Sequence, residues 1–496
     1  MTASYREDRL DIRSRTLKFR IAIIATFLLI AGLGCLCLPG GIIPAIPLNV
    51  PTSPTQPPVT QTPGINTSGL NAKGPWLLME SDKGLWAANP DGSGMAKITN
   101  VDYWNGDVQA AVQPGGNRIV FISPGGNDFK NMALNLLSLP DGAVKKITDL
   151  TSAQSEAASS TGPGDPGFEA LRAVGERLSY SWSPDGTRLA FAGVMDGPSA
   201  DIYIYDATSG TVDRVSQDEA QDFSPSWSPD GNHLLYPAAE GFGTGAGMVM
   251  SGVWSADGQG KNAALLYPSK SSGEEIVGWL DNTTVVLDTW TPVCGSSLLR
   301  LYDMVARRQV ILNQNCFIAA EAKSSPGEVL FANSKGLYIL TADNRKPVSV
   351  GHDPVTRIDP WSAYKDLFIV RLEKGGLSTF GGSYGAGDMD QQISPLIAPS
   401  DSLDVAEYGA IWGWTSMDDG QPGVWVTIPG TDMGQIFTGK ARLPIWDLQN
   451  NLLFFSPKDG GGYDIYLATS NASYKDSAMV ASIDEEVQAV AWAGAH

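Results

Sequence analysis

The chain has few residues of the kinds that bind metals. Its 496 residues include only three histidines, at positions 233, 352 and 496, and four cysteines. Cys35 and Cys37, the only closely spaced cysteines, lie within an apolar run, and no Cys or His spacing resembles a zinc site. Asp388 and Asp390 could contact calcium, but paired acids more often belong to a solvated loop. We therefore predict no metal and no cofactor.

A catalytic constellation is lacking as well. Residues 381–385 match the Gly-x-Ser-x-Gly nucleophile elbow, in which Ser383 would be the nucleophile. Such an elbow needs a helix after it and a later acid and histidine. Residues 386–390 are poor helix formers, and the only later histidine is His496. The segment therefore predicts a glycine-rich loop, and we predict that the protein is not an enzyme.

Basic residues are scarce. The chain has 34 Lys and Arg against 53 Asp and Glu, a formal net charge of −19. Residues 1–20 carry about +3 and residues 21–70 carry no net charge, so the remainder holds about −22. Nucleic-acid binding needs a basic surface that neutralises phosphates, so the charge argues against that class of partner. It is compatible with a basic protein partner and, more simply, with solubility.

An apolar segment near the amino terminus predicts a membrane anchor. Residues 21–38 contain no charged side chain, and residues 13–20 before them contain four basic ones. A run of this length can span a bilayer, and the positive-inside rule places residues 1–20 in the cytoplasm. We predict a transmembrane signal anchor over residues 21–48. A lipoprotein box ending at Cys35 and ordinary signal cleavage are the alternatives.

A Pro/Thr-rich linker follows at residues 49–75. Such a composition cannot bury enough apolar surface to fold, so the segment is expected to act as a semi-stiff tether. Every version of the amino-terminal prediction places the remaining chain outside the cytoplasm, in the periplasm or on the cell surface.

A repeated segment predicts the architecture of the remainder. Residues 181–191 read SWSPDGTRLAF, and residues 226–236 read SWSPDGNHLLY, 45 residues later. This spacing of strand, Pro-Asp-Gly turn and strand is typical of a β-propeller blade. We predict an all-β fold over residues 76–496, a propeller of about eight four-stranded blades, with seven as the alternative. Residues 358–440 are taken as one blade with a long insertion, and the strand at 487–492 completes blade one and closes the ring.

The same motifs carry a family resemblance. The pattern Trp-Ser-Pro-Asp-Gly-x-x-Leu, followed by Asp-Ile-Tyr-Ile-Tyr-Asp at 201–206, resembles the TolB-like, WD-repeat-like (PD-type) β-propeller family. The match is strong at residues 182–206 and 227–236 and approximate over the rest of 76–496. The resemblance implies a bacterial envelope setting and protein binding without catalysis. The chain differs from TolB in its membrane segment and blade number, so a role in outer-membrane transport is not transferred.

Cys294 and Cys316 are predicted to form a structural disulfide. If residues 298–303 and 309–313 pair as a hairpin centred near Val305, the two cysteines lie side by side at its open end. An oxidising compartment favours the bond. Two unpaired thiols are the alternative.

Long connections predict where binding takes place. In a propeller, the loops between second and third strands and those between blades emerge on one face. Here that face has the long loops, at residues 123–131, 151–176, 193–200, 241–251, 289–297 and 373–420. Loops of this kind concentrate binding residues, and aromatic side chains dominate interface hot spots. The candidate aromatic anchors, each of which could instead hold only its own loop, are Phe129, Phe168, Phe242, Trp290, Phe380 and Tyr384.

Together these observations predict a membrane-tethered extracytoplasmic β-propeller that acts as a protein-binding or scaffolding module of the bacterial cell envelope. Its partner would be another envelope or extracellular protein, and the membrane would be contacted through the amino-terminal segment. Recognition of an extracellular glycan or peptide in the propeller funnel is the alternative. A propeller hydrolase or lyase is less favoured.

Overall fold

A computed structural model describes most of the chain after residue 66. Residues 1–66 lie outside it, as do several connections between strands. The described residues are 67–99, 108–123, 131–157, 165–175, 179–243, 247–268, 274–291, 296–312, 317–322, 327–333, 335–351, 355–360, 367–372, 377–381, 390–394, 402–405, 412–416, 422–427, 434–470 and 473–494.

The described chain consists almost entirely of strands. Those in its first half are β1 (Trp76–Ser81), β2 (Gly84–Ala88), β3 (Ala96–Lys97), β4 (Arg118–Ser123), β5 (Ala133–Ser138), β6 (Ala143–Asp149), β7 (Tyr180–Trp182), β8 (Arg188–Gly193), β9 (Asp201–Asp206), β10 (Val212–Arg214), β11 (Gln221–Asp222), β12 (Ser226–Trp227), β13 (His233–Gly243), β14 (Gly247–Asp257) and β15 (Ala264–Pro268). Three short helices interrupt them: α1 (Val108–Ala111), α2 (Ala153–Ala157) and α3 (Pro166–Gly175).

The elements of the second half that the structure describes are strands. They are β16 (Glu274–Asp281), β17 (Thr284–Thr291), β18 (Ser296–Asp303), β19 (Arg308–Ile311), β20 (Phe317–Ala322), β21 (Glu328–Asn333), β22 (Gly336–Thr341), β23 (Val348–Gly351), β24 (Val355–Pro360), β25 (Leu367–Leu372), β26 (Leu377–Gly381), β27 (Asp390–Ser394), β28 (Ser402–Val405), β29 (Trp412–Ser416), β30 (Gly423–Thr427), β31 (Gly434–Phe437), β32 (Arg442–Trp446), β33 (Leu452–Pro457), β34 (Tyr463–Ala468), β35 (Ser477–Ile483) and β36 (Val487–Ala493).

These strands pair antiparallel in consecutive groups, which we call units 1 to 9. Unit 1 has the order β3-β2-β1-β36, so the carboxyl-terminal strand pairs with the first strand of the fold. The other units follow the chain: β4–β6, β7–β10, β11–β15, β16–β19, β20–β23, β24–β27, β28–β31 and β32–β35. Units 5 and 6 are joined into one eight-stranded sheet through the pair Ser297 and Phe317.

The predicted turn chemistry is present in the repeated motif. Asp185 Oδ1 accepts hydrogen bonds from Ser183 Oγ at 2.6 Å and from the Thr187 amide at 3.0 Å. Gly186 has a φ of +67°, a left-handed conformation that glycine adopts without steric cost. Asp230 and Gly231 repeat this arrangement in unit 4 with the same φ. The hydrogen bond from Ser183 is the main cause of the lowered pKa of Asp185.

Tryptophan side chains link neighbouring units. The indole N–H of Trp227 in unit 4 donates to the carbonyl oxygen of Ser181 in unit 3 at 3.0 Å. Trp182 makes the equivalent bond to Ala111 at 3.2 Å. Two further links of this kind join Trp279 to Ser226 Oγ at 3.1 Å and Trp492 to the Trp446 carbonyl at 2.7 Å. The Arg188 guanidinium also stacks 4.8 Å from the centroid of the Trp227 ring.

The turns and the longer loops lie on opposite faces. Gln113 Nε2 donates to the Gly186 carbonyl, and Arg188 Nη2 donates to the Gly231 carbonyl, so the glycine turns of units 2, 3 and 4 lie next to each other. We call this side the turn face. The opposite side, the loop face, carries the connections from second to third strands and those between units. Asn71, near the start of the described chain, bonds to Asn89 at the turn face.

The prediction of eight four-stranded blades is wrong. Residues 358–440 form two sheets, β24–β27 and β28–β31, where one blade with an insertion was expected. The sequence between β28 and β29 has no Asp-Gly or Pro-Gly turn, and the count relied on such turns. Strand numbers also vary: unit 2 has three strands, with α1 at the position of its first strand, and unit 4 has five.

The predicted closed ring is also wrong, because the described strands form separate sheets and no closed ring is found among them. The innermost strands of neighbouring units pack extensively at most junctions, including β20 against β24 and β28 against β32. Among the described residues, β24 and β28 do not pack extensively against each other. The expectation of an all-β fold is confirmed, and so is the pairing of the last strand with unit 1.

The predicted transmembrane helix is not supported either. No helix in the described part is long and apolar enough to cross a membrane, and residues 21–48 lie outside that part. The longest described helix, α3, has 10 residues. At 1.5 Å per residue this is about half the thickness of the hydrocarbon core.

An ion-pair network on the loop face attaches the segment that precedes β36 to the other strands of unit 1. The carboxylate of Glu485, which precedes β36, accepts from Lys97 Nζ at 2.8 Å, from Trp86 Nε1 at 2.8 Å and from Ser81 Oγ. Burial opposes ionisation of this carboxyl, but the three hydrogen bonds outweigh it and lower its pKa. The network therefore stabilises the junction of the chain ends at neutral pH.

We expect the substitution W227F to destabilise the protein more than W254F. Both replace an indole by a phenyl ring, but Trp227 loses its bond to Ser181, whereas the buried Trp254 N–H has no hydrogen-bond partner. The difference in free energy of unfolding should be about 1–2 kcal/mol, the usual net value of a buried hydrogen bond with its neighbouring contacts. Urea denaturation measures it. Equal stabilities would show that the indole bond does not hold units 3 and 4 together.

We also expect E485Q to lower the free energy of unfolding by about 1–2 kcal/mol at pH 7, because a three-donor carboxylate is replaced by a neutral amide. The control is D484N. Asp484 also pairs with a lysine, Lys458, but its side chain is 92% exposed, so its loss should cost under about 0.5 kcal/mol. The lowered pKa of Glu485 means that its contribution disappears as pH falls through that value. A gap between E485Q and wild type that persists at low pH would contradict this assignment.

Candidate functional site

The predicted aromatic anchors stay a prediction, and the structure gives the positions of four of the six along the chain. Phe129 and Tyr384 lie outside the described residues. Phe168 lies in the first turn of α3 and is half-buried. The other three lie in strands of three different units, where loops were expected: Phe242 in β13, Trp290 in β17 and Phe380 in β26. The predicted loops around these three residues were therefore wrong, because their chains continue as paired hairpins.

The predicted disulfide stays a prediction. Cys294 and Cys316 lie outside the described residues. The hairpin assumed for them is present as β18 and β19, with the turn at residues 304–307. Its register pairs Leu301 with Val310, one residue away from the register that was assumed.

A cluster of carboxyl groups lies on the loop face where units 3 and 4 meet. Two members are buried and two are on the rim. The buried pair is Asp201, the first residue of β9, and Asp222 in β11; neither exposes any surface to solvent. Asp196 and Asp218, in the loops that precede β9 and β11, are exposed and half-buried respectively. We call these four residues the acidic cluster.

Only one of the two carboxyl oxygens of Asp201 has a hydrogen-bond partner. Its Oδ2 atom accepts from Arg214 Nη2 at 2.7 Å, whereas its Oδ1 atom has no hydrogen-bond partner. Burial raises the pKa of Asp201 to about 7, since it outweighs the attraction of Arg214, and the charges of Asp218 and Asp196 raise it further. Near neutral pH this buried carboxyl therefore exists in both protonation states.

Asp222 has no ionic partner. Neither of its carboxyl oxygens makes a hydrogen bond of ordinary geometry, although the nearby Ser216 hydroxyl favours the ionised form. Burial, together with the charges of Asp218 and Asp201, raises the pKa of Asp222 well above its usual range. The hydroxyl of Tyr236 in β13 is also buried without a partner, and its pKa is raised by burial and by the same acids. An unpaired buried carboxyl of this kind is costly and uncommon.

The backbone positions these carboxyls firmly. The Asp222 amide donates to the Ala200 carbonyl at 2.8 Å, and the Ala200 amide donates to Gln221 Oε1 at 2.8 Å. Asp222 is also paired with Ala238 in the β11–β13 register. On the rim, the Tyr203 hydroxyl donates to Asp196 Oδ2 at 3.2 Å. The cluster is therefore attached to β9 in unit 3 and to β13 in unit 4.

A helix and a long hairpin flank the cluster. Helix α3 packs against β8, β11 and β13, with Glu169 buried and bonded to Arg172 Nε at 3.0 Å. Strands β13 and β14 have 11 residues each, whereas β8 and β9 have six, so this hairpin extends past the sheet of unit 3 by about 17 Å at 3.4 Å per residue. Glu240 and Val249 oppose each other near its end and are exposed.

The acids here are not balanced by bases. No lysine or arginine occurs between Arg214 and Lys261, a stretch that supplies Asp218, Glu219, Asp222 and Glu240. This gap in basic residues was the one sequence signal that pointed to the cluster. Chemically, the arrangement can attract cations and hold protons. Among the described residues, no group of three or more His, Cys, Asp and Glu side chains is arranged to hold a metal ion.

Comparisons with known proteins relate the chain to others by structure only. No known protein family and no curated protein sequence matches it. A solved eukaryotic initiation factor is similar, with 12% identity and a TM-score of 0.54 over 85% of this chain and 98% of that one. The oligogalacturonate lyase of Vibrio parahaemolyticus (11% identity, TM-score 0.42, 81% and 97% covered) and TolB from Acinetobacter baumannii (18%, 0.30, 55% and 62%) are also similar.

These likenesses concern the fold and not the activity. At 12% identity the initiation factor shares a fold with this chain and nothing more is shown. The lyase and TolB have TM-scores too low to support an argument about this protein. TolB and the lyase are therefore structural neighbours of the chain and nothing more follows from them.

We expect D222N to change how stability depends on pH. The folded-state pKa of Asp222 is raised, so the protonated form is favoured by folding, and wild-type stability decreases as pH rises from the ordinary aspartate range toward that higher value. Asparagine has no proton to lose. The free energy of unfolding of D222N relative to wild type should therefore increase steadily from pH 5 to pH 8 in urea titrations. Parallel curves would show that Asp222 is ionised in the folded protein.

Proposed function

We propose that this chain is a non-catalytic binding module that receives a basic segment of a partner protein at the acidic cluster. The observation that carries the proposal is the uncompensated charge of this part of the loop face. Four carboxyls lie together, and the single guanidinium among them, that of Arg214, is already bonded to Asp201. A partner with lysine or arginine side chains would reduce the mutual repulsion of these acids.

The chemistry of the cluster favours a protein over other partners. Nucleic acid has the same sign of charge and would be repelled. A basic protein segment would be attracted over distances of about 10 Å at moderate ionic strength. Such attraction mainly accelerates association and selects partners by charge.

The architecture supports the same function. Paired strands and tryptophan links hold units 3 and 4 in one arrangement, so the carboxyls are presented without the need for a large rearrangement. The β13–β14 hairpin extends beside them and offers exposed Val249 as an apolar contact next to Glu240. Binding surfaces commonly combine an apolar contact with a polar surround.

The cellular setting is part of the proposal. The resemblance of the Trp-Ser-Pro-Asp-Gly repeats to TolB-like proteins supports a partner in the bacterial envelope, outside the cytoplasm. Recognition of a glycan or a neutral peptide remains the competing function, and the charge-variant experiment below distinguishes it, because such ligands would not respond to the loss of acidic residues.

We expect neutralisation of the loop-face acids to weaken partner capture by roughly tenfold or more at low salt, because several charges contribute together. The variant combines D196N, D218N, E219Q and E240Q. Its matched control removes the same number of charges at exposed acids away from the cluster: D141N, D343N, D459N and D476N. Tagged wild type and both variants are used to capture proteins from cell-envelope extracts, with quantification by mass spectrometry.

A protein captured by wild type and by the control, but not by the loop-face variant, would support the proposal. Its affinity should also decrease as salt rises from 50 to about 300 mM, since an exposed ionic contact is screened. Equal capture by all three proteins, or a partner whose binding ignores salt, would contradict an acidic docking site. Capture of a glycan by all three would favour the competing function.

A further inference from the structure

We propose that the acidic cluster takes up a cationic group in exchange for a proton, so that binding to this face strengthens as pH rises through neutrality. The inference rests on the proposed binding function and adds a regulation to it. The proton leaves a carboxyl O–H of Asp201 or Asp222 and passes to solvent. The cationic group then balances the negative charge that remains.

The geometry of the buried pair is the basis of the proposal. A carboxyl that bears a full charge in a protein interior normally has a cation or several donors beside it. Asp222 has neither, and one oxygen of Asp201 is also without a donor. Since Arg214 can neutralise only one carboxylate, the cluster is short of positive charge by at least one unit when both acids are ionised. At least one proton is therefore retained until another cation arrives.

Among the residues that the structure describes, the surroundings supply no further cation. The charged and titratable groups on the elements packed around the buried pair are Asp196, Tyr203, Arg214, Asp218, Glu219, Tyr236, Glu240 and, on α3, Glu169 and Arg172. Arg172 is bonded to Glu169 and Arg214 to Asp201. The other charged groups on these strands, Arg188, Asp206 and His233, lie at their turn-face ends, and Asp213 lies on the exposed β10.

The cation need not enter the interior. Asp196 and Asp218 lie on the rim, and their charges already raise the pKa of Asp201, whose value of about 7 places its proton at the midpoint of titration under neutral conditions. A cationic group held by these rim residues would instead lower the pKa of Asp201. By linkage, whatever favours loss of the proton is itself bound more tightly when the proton is absent.

Calorimetric titration of the full chain with hexalysine tests the exchange. The peptide is acetylated at its amino end and amidated at its carboxyl end, so it has no group that titrates between pH 6 and pH 8. Titrations at pH 7 and low salt in PIPES and in imidazole, buffers with different heats of ionisation, yield the number of protons released. We expect about half a proton per peptide, and an affinity that rises about threefold from pH 6.5 to pH 7.5, because one full proton corresponds to tenfold per pH unit.

Two variants separate the buried carboxyls from the rim. D201N should remove most of the proton release at pH 7, since asparagine can still accept from Arg214 but cannot titrate. The rim variant D196N/D218N should weaken hexalysine binding at every pH, because it lowers the charge that attracts the peptide. The buffer comparison on wild type needs no variant, so the test stands even if D201N folds poorly.

Each outcome decides one question. Binding with proton release that D201N abolishes supports the exchange. Binding that is weakened by the rim variant but releases no proton in wild type overturns the exchange and leaves the proposed binding function intact. Release that neither D201N nor D222N reduces overturns the assignment to this cluster. No salt-sensitive binding of hexalysine at any pH would contradict the proposed function and the exchange with it.

Discussion

The rest of this structure depends on one kind of side-chain contact, the hydrogen bond that a tryptophan indole donates across the boundary between two units. Hydrogen bonds within each sheet hold its own strands but do not position one sheet against the next. The bonds from Trp182 and Trp227 do so, since each joins the first strand of one unit to the unit before it. The apolar core between units 3 and 4 forms behind Trp227, with Ile202, Leu234 and Tyr236 buried in it. Correct stacking therefore depends on one indole at each of these junctions.

The same junction that Trp227 strengthens also contains a group whose burial is costly. Asp222 is buried without a partner beside a well-packed apolar core, and its burial opposes folding whenever it is ionised. The stacking of units 3 and 4 offsets that cost. A protein that needed only stability would have an apolar residue at this position, because burial of a similar volume without charge is favourable. Retention of a carboxyl at a stabilised junction is the pattern expected of a site that acts on something outside the chain.

Sequence patterns predicted what depends on local chemistry. The turns at Asp185 and Asp230 form as expected, because an aspartate acceptor and a glycine with positive φ determine a reversal almost by themselves. The division of residues 358–440 was missed because no such turn marks the start of β29. The acidic cluster was missed for a different reason. Asp222 is ordinary in the sequence, and its burial results from pairing with β13 and from the cover provided by α3, contacts made by residues distant along the chain.

The two faces of the molecule differ in how their carboxylates are bonded. The described chain begins on the turn face, where Asn71 bonds to Asn89 and where Gly74 lies against Gly494 near the other end. The Pro-Asp-Gly turns occupy that face, and their carboxylates are used by their own backbone amides. The acidic cluster lies on the opposite face, and there one oxygen of Asp201 and both oxygens of Asp222 make no hydrogen bond of ordinary geometry. The charge that would attract the proposed partner therefore lies on the loop face, away from the turns whose carboxylates are already used by their own backbone.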